Sequence, residues 1–264
     1  MLRDRIVTAL VALPLVVFLT LFAGTGIFFT VAVGVVVLAV LECLHLFRPQ
    51  ADIEVKLLVV FGGVLLFSVA CWSPDRFGVA CSGVFLLLAL FYLLRFKDIV
   101  LVINDCAAVL LIWIYIPMLL SYMVLLHALP EGHKLVFLVF LMTMLCDSCA
   151  YFVGTRWGKH RLYPAVSPKK SVEGAVGGVG GAVLAVVGSM WLFMPELSLV
   201  VGVGLGVLVG IFAQIGDLFE SLLKRSAQIK DSGHLFPGHG GMLDRLDSLL
   251  FSFPVAYLYF QLVL

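Results

Sequence analysis

The chain has 264 residues, 62% of them hydrophobic and only 12% charged, with a mean hydropathy of +1.16. Soluble domains are about 25% charged, so the composition excludes an ordinary soluble protein and points to an integral membrane protein. The net charge of +1 says little by itself; where the charges fall says much more, and no nucleic-acid partner is expected.

Apolar runs of about 17–25 residues are long enough to cross a bilayer as helices. Nine are read in chain order, near 6–23, 27–47, 57–72, 78–94, 99–128, 134–153, 175–195, 199–223 and 248–264. None alternates as a barrel strand would, and backbone groups in lipid must be satisfied within the segment. The expected fold is therefore an all-α, polytopic helical bundle. The first run follows Arg3 and Arg5, as a signal peptide would, but it is longer than a typical signal core and is read as a retained span. The fifth run is long, and is expected to be tilted or broken near Pro117.

The second and fifth runs carry Glu42 and Asp105, read as structural acids bonded to neighbouring helices. Six cysteines fall mostly within the runs and are expected to be buried free thiols. Cys146 and Cys149 form a CxxC with no second pair at zinc spacing. The seventh and eighth runs are rich in glycine: Gly174, Gly178, Gly177 and Gly181, then Gly202, Gly206 and Gly210, make overlapping GxxxG pairs. Small residues four apart let helices approach closely. Internal packing is the expected use, and a homodimer is also permitted.

Nine spans with a cytoplasmic N-terminus place fifteen of the seventeen Lys and Arg on one side, leaving only Arg76 and Lys134 on the other. Positive loops stay inside, so the N-terminus is expected in the cytoplasm and the C-terminus outside. Two inward loops are long and polar, 154–173 and 224–247, and chemistry is expected on that face. Residues 1–133 read as a lipid-facing scaffold, and 134–264 as the catalytic region. No long polar block stands apart from the spans, which favours a bacterial cytoplasmic membrane over the endoplasmic reticulum.

The densest charge lies between Gly216 and Asp247. Asp217, Glu220, Ser221 and Lys224 have spacings of 0, 3, 4 and 7 and share one helical face. That face would serve equally as an amphipathic helix end with internal ion pairs. Next comes a tight turn, Pro237-Gly238-His239-Gly240-Gly241, followed by Asp244, Asp247 and Ser248 at helical spacing. Acids within a membrane segment are costly and are functional candidates by default. Oxygen ligands of this kind suit Mg²⁺, which usually binds through one or two carboxylates plus substrate phosphates. The other inward loop reads Ser167-Pro168-Lys169-Lys170-Ser171-Val172-Glu173-Gly174. It joins cations and hydroxyls at a helix start, where anions are favoured. Upstream, Asp147 and Tyr151 share a helical face.

Taken together, Ser221-Leu222-Leu223-Lys224-Arg225, Lys230-Asp231-Ser232-Gly233, Pro237-Gly238-His239-Gly240-Gly241 and Asp244-Arg245-Leu246-Asp247 resemble the signature of phosphatidate cytidylyltransferases, the CDP-diacylglycerol synthases. A second block resembles the same family: Asp147-Ser148, Ala150 to Gly154, Gly158-Lys159, Ser167 to Ser171 and Glu173-Gly174. The resemblance covers roughly the C-terminal half. The chain departs from it with Cys149 for glycine, Ser171 for threonine and Val172 for tryptophan.

The resemblance implies transfer of CMP from CTP to phosphatidic acid, giving CDP-diacylglycerol and pyrophosphate. It implies a two-metal type of site, with Mg²⁺ and a monovalent cation such as K⁺. On this reading Asp217 and Asp244 are the principal metal ligands, with Asp247 and Asp231 beside them. Lys224, Arg225 and Lys230 hold phosphates. Ser167, Lys169, Lys170 and Ser171, with Asp147, Glu173, Ser221 and His239, complete the pocket for nucleotide or lipid headgroup. The competing readings are another CTP-dependent lipid enzyme, of CDP-archaeol synthase or polyprenol kinase type, and an ion-coupled transporter.

Overall fold

The computed structural model describes residues 14–233, 235 and 240–263. The first expected span, near 6–23, lies partly outside the described residues; within them, 14–21 are helical (α1). The helices that follow are α2 (Thr25–Phe47), α3 (Ile53–Trp72), α4 (Phe77–Arg95), α5 (Val102–Trp113), α6 (Leu119–His127), α7 (Gly132–Trp157), α8 (Val172–Leu192), α9 (Leu199–Ser226) and α10 (Leu243–Val263). Eight spans among the described residues are long and apolar enough to cross a membrane, with α5 and α6 forming one of them, Ile99–His127. They match the second to ninth runs, and the molecule is an all-α polytopic membrane protein.

The break near Pro117 is a π-helical segment, Ile114–Met118, that joins α5 to α6 without ending the span. Proline lacks the N–H that an α-helix would require there, and the wider turn absorbs the mismatch. Just before it, Trp113 is fully buried and its Nε1 donates to the Val59 carbonyl at 2.9 Å. The indole lies against Gly62 of α3, where a side chain would collide with the ring.

Hydropathy cut several helices short. α9 runs on to Ser226, α7 to Trp157, and α10 begins at Leu243 rather than 248. An apolar run fades where charges gather, whereas a helix stops where its hydrogen bonds do. The charged residues of interest are therefore helical extensions of the spans. The 154–173 loop is also partly ordered: β1 (Arg161–Tyr163) and β2 (Ser167–Ser171) form an antiparallel hairpin, with Arg161 opposite Ser171 and Tyr163 opposite Ser167.

Both glycine rows are used inside the chain. Gly178 and Gly181 of α8 abut Cys146, Cys149 and Ala150 of α7, and Gly177 abuts Val153. Gly202, Gly206 and Gly210 of α9 abut Val186, Val183 and Val179 of α8. The Cys146 thiol, buried here, donates to the Gly210 carbonyl at 3.6 Å. All six cysteines are free. The departure at Cys149 is thus accommodated by the absent side chain of Gly181. With the rows filled internally, any homodimer must use other faces.

Ion pairs join one end of the bundle. Arg48, at the C-cap of α2, meets Asp105 of α5 at 2.5 Å, and Lys97 after α4 meets Asp52 before α3 at 2.7 Å. At the opposite end of α2, Thr25 approaches His127 at the end of α6. The Arg48 pair ties Asp105 of α5 to the end of α2.

Candidate active site

The site is built on the C-terminal turns of α9 and the N-terminal turns of α10. Glu220 is completely buried, and its Oε2 lies 2.5 Å from the Lys224 Nζ one turn later. Lys224 also reaches across to α10, donating to Asp244 Oδ1 at 2.7 Å. The lysine therefore bridges two helices through two carboxylates. Asp244 Oδ2 accepts the N–H groups of Ser232 at 3.0 Å and Gly241 at 2.8 Å, and the Ser232 hydroxyl at 2.9 Å. Gly240 has φ +84°, and a side chain there would strike the Asp244 carboxylate. A glycine satisfies both demands at once.

The hairpin supplies a second wall. Lys170 of β2 pairs with Asp217 Oδ2 at 2.6 Å. Among the described residues the other Asp217 oxygen has only a long contact, 3.4 Å, from the Ser221 hydroxyl. Arg225 donates to the Val166 carbonyl, in the turn between β1 and β2, at 3.4 Å, and to the Ile229 carbonyl at 3.2 Å. The structure thus brings together Asp217, Ser221, Lys224, Asp244 and Lys170, which the sequence analysis singled out, and sets Arg225 against the hairpin turn. Asp147 of α7 and Asp247 of α10 stand close enough to Asp217 to repel it electrostatically, and Arg245 lies within electrostatic reach of Asp147. Asp247 Oδ1 accepts the Ser248 N–H at 2.7 Å.

Other candidates have different positions. Ser171 is the N-cap of α8: its hydroxyl accepts the Gly174 N–H at 3.1 Å and packs against Gly154 and Gly158. Glu173 accepts the N–H groups of Lys159 and His160, and its Oε1 is 2.6 Å from the His160 ring. Both residues shape the hairpin. Ser167 opens β2, and Lys169, Lys230 and Asp231 are exposed. The call of His239 as a substrate-binding residue falls outside the described residues.

Two further acids belong to the site's framework. Glu220 was visible on the face shared with Asp217, but not its complete burial. Glu42 was visible only as a charge inside a span; its carboxylate accepts the Met242 and Leu243 N–H groups at the start of α10.

Five carboxylates (Asp147, Asp217, Glu220, Asp244 and Asp247) share this region with three cations (Lys170, Lys224 and Arg245), a formal excess of two negative charges. Such an excess near the end of a membrane bundle fits a divalent cation. No group of three His, Cys, Asp or Glu side chains that could hold a metal occurs among the described residues. Two carboxylates are enough for Mg²⁺ when substrate phosphates supply further oxygens, so the donor set fits the ion. A separate cavity of about 600 Å³ lies among the ends of α2–α5, lined by Arg48, Asp105, Lys97 and Asp52. There a hydrogen bond from Lys97 holds Asp52 below the ordinary carboxylate range.

Comparison with known proteins bears on this arrangement. The model of the cytidylyltransferase family matches residues 3–263. A phosphatidate cytidylyltransferase of Thermotoga maritima is 33% identical over 270 residues, covering 99% of this chain and 97% of that protein. One from Bacillus subtilis is 43% identical over 155 residues, 57% of this chain and 56% of that protein. One from Synechocystis is 44% identical over 135 residues, 51% of this chain and 46% of that protein. A match along almost the whole chain, on a bundle that gathers acids and lysines between its last helices, establishes that the chain belongs to the cytidylyltransferase family.

Proposed function

We propose that the chain is a CTP:phosphatidate cytidylyltransferase, forming CDP-diacylglycerol and pyrophosphate from CTP and phosphatidic acid. The observation that carries this reading is the Lys170–Asp217 and Lys224–Asp244 pairing between the hairpin and the last two helices. It sits in a chain 33% identical over nearly its full length to a phosphatidate cytidylyltransferase.

An oxygen of the lipid phosphate attacks the α-phosphorus of CTP, and the bond from that phosphorus to the bridging oxygen of pyrophosphate breaks. The attacking oxygen is already ionised, so no strong general base is required. The barrier is charge: two anions must meet while negative charge builds on the leaving group. Lys170 and Lys224 are point charges suited to phosphate oxygens, and each can turn from its aspartate to a phosphate. Arg225 and Lys230 extend the positive wall beyond them. Asp217 is the carboxylate best placed to hold Mg²⁺, because one of its oxygens has no close partner among the described residues, and Asp247 stands near it. Bound Mg²⁺ would neutralise phosphate charge and stabilise the departing pyrophosphate. Asp244 and Asp231 complete the proposed metal-binding set, and a monovalent cation such as K⁺ is part of the same proposal.

The site faces the cytoplasm of a bacterial inner membrane on this reading, supported by the fifteen-to-two distribution of basic residues. Residues 134–264 carry the chemistry, and the acyl chains stay in the bilayer. The test is labelled CTP with phosphatidic acid and purified protein, with and without Mg²⁺ and K⁺. Label should pass to the lipid phase only when Mg²⁺ is present. Absence of labelled lipid under every condition overturns the reading, and label transferred without divalent cation overturns its metal component.

A further inference from the structure

Glu42 lies on α2, in the half of the chain assigned to scaffold, yet its side chain ends in the catalytic region. Oε1 accepts the Met242 N–H at 2.9 Å, and Oε2 accepts the Leu243 N–H at 2.9 Å. Oε2 also lies 3.2 Å from the Ser232 hydroxyl. The first N–H groups of a helix have no partner within it. A serine, threonine, aspartate or asparagine at the N-cap normally supplies an acceptor. The residue before Leu243 is Met242, which has no oxygen in its side chain. Glu42 supplies the acceptor from 201 positions away in sequence, and its negative charge suits the positive end of the helix dipole.

The fit is close. A side chain at Gly233 would stand 2.8 Å from Glu42 Oε1, and one at Gly241 would overlap both Glu42 and the Ser232 hydroxyl. The buried Ser232 hydroxyl is also the 2.9 Å donor to Asp244. A continuous set of contacts therefore runs from Glu42 through Ser232 to Asp244, then through Lys224 to Glu220.

We infer that Glu42 is a positioning residue for cytidylyl transfer: it fixes the start of α10, and with it the placement of Asp244 and Asp247. The inference rests on the proposed function for its effect on turnover, but its structural part does not. Glu42→Gln preserves shape while putting an amide NH₂ where one backbone N–H needs an acceptor. Misplacing a catalytic group by about 1 Å can cost on the order of 100-fold. The expected kcat is therefore roughly 10- to 100-fold lower, with the KM for CTP changed much less. Amide hydrogen exchange should accelerate over 240–247 and remain at the wild-type rate in α8. Glu42→Asp, which keeps the charge on a shorter arm, should recover part of both losses. Glu131→Gln, at the opposite end of the bundle, is the control that should change neither.

A wild-type kcat in Glu42→Gln overturns the inference. So does exchange that accelerates equally across α7 to α10, or a Glu42→Asp protein no better than Glu42→Gln. If Glu42→Gln does not fold, Glu42→Asp is compared with wild type on the same two measurements, and unchanged exchange over 240–247 overturns the inference. Exchange needs no substrate. A wild-type protein that makes no CDP-lipid would refute the proposed function and leave the exchange result to judge Glu42 alone.

Discussion

Lys224 is the strongest test of how the site is held together. Its side chain is 12% exposed, and it lies between Glu220 Oε2 at 2.5 Å and Asp244 Oδ1 at 2.7 Å. The two carboxylates would suffer differently if it were replaced by methionine. Asp244 keeps three other donors, two N–H groups and a hydroxyl. Glu220, with no exposed surface, has no partner among the described residues beyond its ion pair with Lys224. Removing one partner of a buried pair costs about 3–5 kcal/mol, because the other charge is left uncompensated. Nearly all of that cost should come from Glu220. Lys224→Met should therefore lower the apparent melting temperature in detergent by on the order of 10 °C, and abolish CTP-dependent lipid labelling. Replacing both residues, as Glu220→Leu with Lys224→Met, removes the stranded charge. Swapping a buried pair for apolar groups is often neutral or stabilising, so the double variant should recover most of the melting temperature and none of the activity. A single variant as stable as wild type would refute the account of Glu220. An active double variant would refute the phosphate-binding role of Lys224.

Asp217→Asn should eliminate Mg²⁺-dependent labelling while the protein remains folded by circular dichroism; near-normal product would exclude Asp217 as a metal ligand. The glycines of α8 should divide by their surroundings. Gly181→Leu drives a side chain into Cys149 and the Leu145 carbonyl, and overpacking of this kind costs about 1–3 kcal/mol. Gly180 has open space beside it, so Gly180→Leu should hold or raise the melting temperature, since leucine is the better helix former. Equal losses at the two positions would show that the row is not read by packing.

The spans were legible because length and apolarity are local properties of a segment. Pro117 was legible for the same reason: a missing N–H disturbs a helix wherever the rest of the fold lies. The C-terminal end of α9 and the start of α10 were not, because hydropathy falls where charges gather while helical hydrogen bonds continue to Ser226 and start by Leu243. The hairpin Arg161–Ser171 escaped notice because its strands are short and polar and carry no alternating pattern. Within the site, the face formed by Asp217, Glu220, Ser221 and Lys224 could be read from helical spacing. The partners of those residues could not. Lys170 meets Asp217 across two elements, and Glu42 meets α10 from the other half of the chain. Such pairings are fixed by packing and leave no spacing to read.

The Lys170–Asp217 link imposes a condition on whatever enters. Lys170 and Asp217 part without loss only if each finds a new opposite charge, whereas Asp244 keeps two N–H groups and a hydroxyl, and Lys224 keeps Glu220, when that second pair opens. A free anion would satisfy the lysine and strand the aspartate; a free cation would do the reverse. If the proposed function holds, a nucleotide arriving with its own counter-ion would bring both replacements at once and leave no bare charge. On the proposed function, the Lys170–Asp217 link would favour the ion-paired nucleotide, taken as a unit, over either ion alone.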